Sequence, residues 1–108
     1  MFTKKDLIKY ITDYIAECNK LGVCFKKVIL FGSYARNTPH EWSDVDLALV
    51  SDDFSGMRLD DRHKISLANI KFVDIEPHIF NSAYFEKGDP FIEEIVKTGR
   101  EIKLKQGI

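Results

Sequence analysis

Cysteine is scarce in this 108-residue chain: Cys18 and Cys24 are the only two. One pair makes a poor disulfide framework, and a zinc site needs more ligands at tighter spacing. Both are therefore read as reduced, structural thiols, at most partly buried. Charge of one sign is lacking as well. A formal net charge of -1 and a pI near 6.3 give no global attraction for nucleic acid. Lys4-Lys5 and Lys26-Lys27 are the only basic pairs that stand out, so long DNA or RNA is not an expected partner. Long apolar runs are missing: none approaches the ~18 residues of a membrane span. The opening MFTKKDLIKY lacks the continuous apolar stretch of a secretory signal. A cytoplasmic protein with no membrane partner is the default expectation. Neither a P-loop nor a Rossmann glycine pattern occurs, and there is no repeat, linker or low-complexity tract. With 44% hydrophobic and 31% charged residues, the composition excludes whole-chain disorder. The length suits one domain, residues 1–108.

Several periodic segments are present. Leu7, Ile8, Ile11, Tyr14, Ile15, Cys18 and Leu21 recur at helical spacing after a Thr3 cap, with Asp6 three residues on and Gly22 as the stop. Phe25–Phe31 reads as a strand buried on both faces at its Val-Ile-Leu-Phe end. Ser33–Asn37 suggests a short helical turn before a loop with Pro39, and Val45–Val50 a second strand. Ser51–Gly56 reads as a loop. Met57–Ala68 follows as a helix with Leu59, Ile65 and Leu67 toward the core. Lys71–Phe80 reads as a third strand, at an edge or interrupted at Pro77, which has no N–H for a ladder. Asp89-Pro90 pairs an N-cap with an N1 proline. Phe91, Ile92, Ile95 and Val96 form that helix's stripe, Gly99 ends it, and Arg100–Leu104 gives a last short strand. The expected class is α/β or α+β, with helices packed on a mixed sheet of about four strands.

The chemistry is concentrated between Phe31 and Val50. After the apolar Val28-Ile29-Leu30-Phe31, Gly32 supplies a turn without a Cβ, which lets a phosphate approach the backbone, and Ser33 adds a hydroxyl. Asp44-Val45-Asp46 then opens the second apolar run. Positions i and i+2 of a strand point to one side, so the two carboxylates stand together. Like charges that close repel unless a cation sits between them. Mg²⁺ fits, since it takes few protein oxygens and completes its shell with water and substrate phosphates. Either signal alone is common, as a plain turn or a solvated strand start. Jointly and in this order they are rare.

Leu30-Phe31-Gly32-Ser33, then Asp44-Val45-Asp46-Leu47, resembles the DNA polymerase β-like nucleotidyltransferase superfamily over essentially the whole chain. The match is nearest to its minimal stand-alone members, whose G-S-x-A-R-G and S-D-x-D-L appear as Gly32-Ser33-Tyr34-Ala35-Arg36-Asn37 and Ser43-Asp44-Val45-Asp46-Leu47. Asn37 replaces the usual glycine, a residue that tolerates left-handed geometry better than most. The resemblance implies a third carboxylate on a later strand, for which Asp74 and Glu76 both qualify. Asp74 sits where small members often show V-D-L, while Glu76 reaches further. It implies transfer of NMP, AMP foremost, from a nucleoside triphosphate such as ATP to an acceptor hydroxyl, with two Mg²⁺ ions roughly 3.5–4 Å apart. Asp44 and Asp46, with Asp74 as candidate third ligand, would hold the metal, and Gly32 and Ser33 would anchor the phosphates. Arg36 is a candidate phosphate contact, against the plainer reading of a salt bridge within the loop.

The other polar residues have duller readings beside sharper ones. Tyr34 and Trp42 could stack on a base but suit packing better. Arg62 and Lys64 could reach a triphosphate from the middle helix. His40, His63 and His78 show no ligand spacing, and only His78 lies on the acidic face. Small members of the family are typically encoded beside an all-helical HEPN-type protein, some acting as antitoxins that adenylylate it, so such a partner is implied here. A homo-oligomer stays open. The rival reading is a catalytically silent module that binds nucleotide or neutralises its partner by contact.

Overall fold

Thr3 opens the first helix as its side chain allows, its hydroxyl accepting the Asp6 N–H at 3.2 Å. The computed structural model describes residues 2–36, 39 and 44–104. Helix α1 (Lys4–Lys20) buries Leu7, Ile11, Tyr14 and Cys18 along one stripe. Strands β1 (Lys27–Phe31) and β2 (Val45–Ser51) follow, then helices α2 (Arg58–Lys64) and α3 (Ser66–Lys71). The chain closes with β3 (Ile75–Asn81), α4 (Ser82–Lys87), α5 (Pro90–Thr98) and β4 (Arg100–Glu101). The sheet order is β3-β2-β1-β4, with β1 antiparallel to β2 and β4, and β2 parallel to β3. This is the expected α+β architecture on a four-stranded mixed sheet.

Both faces of the sheet are covered, which is why β2 reads as an unbroken apolar run. Val28, Leu30, Val45, Leu47 and Leu49 pack with α1 in the larger core. Ile29, Ala48 and Val50 meet Phe85, Ile92 and Ile95 from α4 and α5 in the smaller one. Asp89 caps α5 by accepting the Ile92 N–H at 2.8 Å, as the Asp-Pro pair suggests.

Several expectations need correction. The helix foreseen over 57–68 is two, because Ile65, at φ -112° and ψ 12°, interrupts it. The change of axis turns Leu59 and Leu67 outward, where they are 87% and 61% exposed, while Ile65 is buried as expected. Their places are taken by Phe54, Ala68 and the carboxylate of Asp61. Asp61 is buried because it replaces water for the loop before it, accepting from the N–H groups of Ser55 (2.7 Å) and Gly56 (2.9 Å). The third strand starts at Ile75 rather than Lys71, since α3 claims Lys71. Helix α4 was unforeseen, although Asn81 caps it with its side-chain oxygen on the Ala83 N–H at 3.0 Å. Strand β4 keeps only two of the five residues expected. Cys18 is wholly buried, not partly, and Cys24 is exposed.

Candidate active site

Strand β1 ends at Phe31, and Gly32 turns the chain with φ +74°. Only glycine takes that conformation without strain. The Arg36 N–H closes one helical turn on the Gly32 carbonyl at 3.2 Å. The antiparallel register sets Phe31 opposite Asp46, so the turn abuts that aspartate. A Cβ built on Gly32 would run into Asp46 Oδ2. Glycine is thus required twice here, for its dihedral and for the carboxylate beside it.

The parallel register then pairs Asp46 with Glu76 and Ala48 with His78. Alternation places Asp46, Glu76 and His78 on the face of the smaller core, at the end of the sheet where the Gly32 turn lies. His78 Nε2 stands 3.3 Å from Asp46 Oδ1, with side chains 29% and 27% exposed respectively. The imidazole sits edge-on to Phe31 and Phe91, ring centroids 4.9 and 5.9 Å away. His78 is the functional candidate that ligand spacing misses. Its signal was period-two placement after Glu76.

The remaining candidates are positioned as follows. Asp44 is exposed immediately before β2. Asp74 is exposed in the turn before β3, ahead of the strand that was expected to hold it. Its N–H donates to the Tyr10 hydroxyl at 3.2 Å and its carbonyl accepts from Val45 at 2.8 Å. Ser33 is half-buried and Arg36 exposed on the turn. Tyr34 is buried with its ring 6.2 Å from Phe2, so it packs instead of offering a stacking platform. Lys64 is tied to the Asp53 carbonyl at 2.6 Å, just past the other end of β2. Asn37, His40, Trp42 and Ser43 lie outside the described residues.

Among the described residues, no three His, Cys, Asp or Glu side chains form a ready-made metal cage. Mg²⁺ does not need one: it binds through one or two carboxylates, with water and phosphate oxygens completing its octahedron. The carboxylates of Asp46 and Glu76, in register on adjacent strands, suit that ion, with Asp44 exposed immediately before β2 and His78 3.3 Å from one Asp46 oxygen. A cleft of about 650 Å³ opens beside this cluster. It runs along β3 from Glu76 to Asn81, between the Ser55-Gly56 loop and the side chains of Tyr84 and Phe91. On its wall the Tyr84 hydroxyl, and then the Ile92 N–H, hold the Asp89 carboxyl below its ordinary range.

Three comparisons bear on this geometry. A candidate protein adenylyltransferase of Methanocaldococcus jannaschii is 40% identical over 63 residues, 57% of this chain. Those residues span 42% of that relative, less than half its length. A toxin–antitoxin crystal structure with AMP-PNP superposes with a TM-score of 0.58 at 18% identity, over 88% of this chain and 74% of that one. The MntA–HpeT toxin–antitoxin pair, in a form with two aspartate-to-glutamate substitutions, gives 0.53 at 18% identity, over 97% and 76%. At such identity these two likenesses speak to the fold. The nucleotidyltransferase domain model matches residues 9–102, taking in the Gly32 turn, Asp44, Asp46 and Glu76 alike, and the chain belongs to that family.

Proposed function

We propose that this nucleotidyltransferase moves AMP from ATP to a hydroxyl on a partner protein, a HEPN-type helical protein being the candidate, as the antitoxin of a toxin–antitoxin pair. The observation that carries the reading is the contact between Gly32 and Asp46, with Glu76 in register beside it. Support also comes from the adenylyltransferase name of the Methanocaldococcus relative and from the nucleotide-bound toxin–antitoxin neighbour.

In this reading the Gly32 and Ser33 backbone N–H groups and the Ser33 hydroxyl hold the β- and γ-phosphates, with Arg36 as a further charge-assisted donor. Asp44 and Asp46 would hold Mg²⁺, which when bound neutralises charge on the triphosphate and the departing pyrophosphate. Glu76 is the favoured third carboxylate over Asp74, because it lies within β3 opposite Asp46 while Asp74 lies in the preceding turn. The acceptor oxygen forms a bond to the α-phosphorus, the bond from that phosphorus to the bridging oxygen breaks, and pyrophosphate leaves. Glu76 takes the acceptor's proton. Such catalysis rests on positioning and charge.

The test is transfer of α-labelled AMP to the partner in the presence of Mg²⁺. Asp46→Asn is expected to reduce transfer by at least ~100-fold while leaving the fold intact. Undiminished transfer would refute the assignment. A second reading, neutralisation by contact alone, is favoured by one surface: Leu67, Ile70 and Val73 are each more than 60% exposed on and just after α3. It predicts a stable complex without label transfer.

A further inference from the structure

We propose that the cleft along β3 receives an extended segment of the acceptor polypeptide as an added strand, bringing its hydroxyl side chain to Glu76. The delivery step rests on the nucleotidyl-transfer reading above; the docking itself does not.

Strand β3 is one edge of the sheet and pairs only with β2 among the described residues. The phase of that ladder is fixed by the Val45 N–H, which donates to the Asp74 carbonyl at 2.8 Å. With Val45 opposite Ile75, the even-numbered residues Glu76, His78 and Phe80 turn their backbone groups toward β2. The odd-numbered Pro77 and Ile79 turn theirs outward. Pro77 therefore sits where its missing N–H removes no ladder bond, the position a proline tolerates in a sheet. The carbonyls of Pro77 and Ile79 and the Ile79 N–H face outward as a strand template.

The lining of the cleft agrees with this. Glu76, His78 and Phe80 point to one face of the sheet, Pro77 and Ile79 to the other, yet all five border the same space. A groove along an open strand edge accounts for bordering residues of both orientations, because the outward backbone groups of Pro77 and Ile79 lie on that edge. Size alone does not select an occupant, since 650 Å³ would also hold a small molecule. Charge does. The walls carry the carboxylates of Asp89 and Glu76 and the guanidinium of Arg62, while the lining residue Asp61 is buried on the Ser55 and Gly56 N–H groups and paired with Lys64. With no excess of positive charge, this wall offers a triphosphate little attraction, whereas strand addition takes its affinity from main-chain hydrogen bonds to an uncharged backbone. The groove ends at Glu76, the group assigned to the acceptor's proton.

The experiment follows amide hydrogen exchange on the full chain, isotope-labelled, with three probes. These are a pool of end-capped decapeptides with central Tyr, Ser or Thr, the same pool N-methylated at alternate residues, and Mg²⁺ with a non-hydrolysable ATP analogue. The unmodified pool is expected to slow exchange of the Ile79 amide at least ~10-fold, and the N-methylated pool, stripped of strand-forming N–H groups, to leave it unchanged. Equal protection by both pools, protection by the ATP analogue, or no protection by the unmodified pool at millimolar concentration would overturn the proposal. Nucleotide binding is read separately at the Gly32 and Ser33 amides, so a failure of the nucleotidyl-transfer reading shows there and not at Ile79.

Discussion

At the scale of single residues, Gly32 and Asp61 hold the most structure per atom. Gly32→Ala forces a side chain into a left-handed turn, at about 1–2 kcal/mol, and drives its methyl against Asp46 Oδ2. A carboxylate displaced by the order of an ångström costs roughly 100-fold in rate. Label transfer by Gly32→Ala should fall by about that factor, well beyond what the loss of folded protein explains, as circular dichroism would verify. Asp61 is a structural counterpart. Burial pushes its carboxyl up, but the Ser55 and Gly56 N–H groups, the Ser55 hydroxyl and the Lys64 ammonium outweigh that and hold it below its ordinary range. A depressed folded value means the stabilisation is present above the unfolded carboxyl's pKa, about 3.9, and fades as pH falls through the lower folded value. Asp61→Asn should lower stability by roughly 1–3 kcal/mol near neutrality. The gap from the parent in urea unfolding should narrow toward pH 3, and a gap that widened instead would refute the assignment. Asp61 was not legible beforehand, because its sequence context is that of a solvated helix face, and only the distant loop explains its burial.

At the scale of elements, what could be read depended on whether local signals agreed with tertiary demands. Helices α1 and α5 were legible because cap, stripe and stop coincide: Thr3 and Asp89 accept the backbone N–H groups their positions imply. Strands β1 and β2 announced themselves by apolar runs, and Pro77 pointed to an edge, where β3 indeed lies. The segment from Met57 to Lys71 misled, since its periodicity takes no account of the break at Ile65. Helix α4, six residues long, is too short to show a period, and its Asn81 cap was the one available cue. Between α5 and β4, Gly99 allows a close approach: an added Cβ would lie 2.5 Å from Ile29 Cγ2 and from the Ile95 carbonyl oxygen. Gly99→Ala should destabilise the protein by about 1–3 kcal/mol. Thermal unfolding would measure it, and an unchanged midpoint would contradict the packing described.

At the scale of the whole molecule, the sheet order brings together residues that the chain separates. The Gly32 turn, Asp46 and Glu76 come from the ends of β1, β2 and β3, and the register sets them side by side. The first two were legible because turn and carboxylates each have a local pattern. That Glu76 lies within β3 and Asp74 in the turn before it was not, since this depends on where the strand begins. His78 was legible as lying on the acidic face, but its contact with Asp46 was not, for that partner lies on another strand. No helix among the described residues is long and apolar enough to cross a membrane.

The two thiols differ sharply in their surroundings: burial pushes Cys18 up to about 11, while Cys24 is exposed. Cys24 lies against Ser51 and Asp53, past the far end of β2 from Asp46. The native protein therefore carries its own single attachment point for a fluorophore. Maleimide at neutral pH should modify one equivalent per chain by mass spectrometry, and two would refute this. A dye there would report ligand association from the opposite pole, leaving the Asp46 and Glu76 end of the sheet unencumbered.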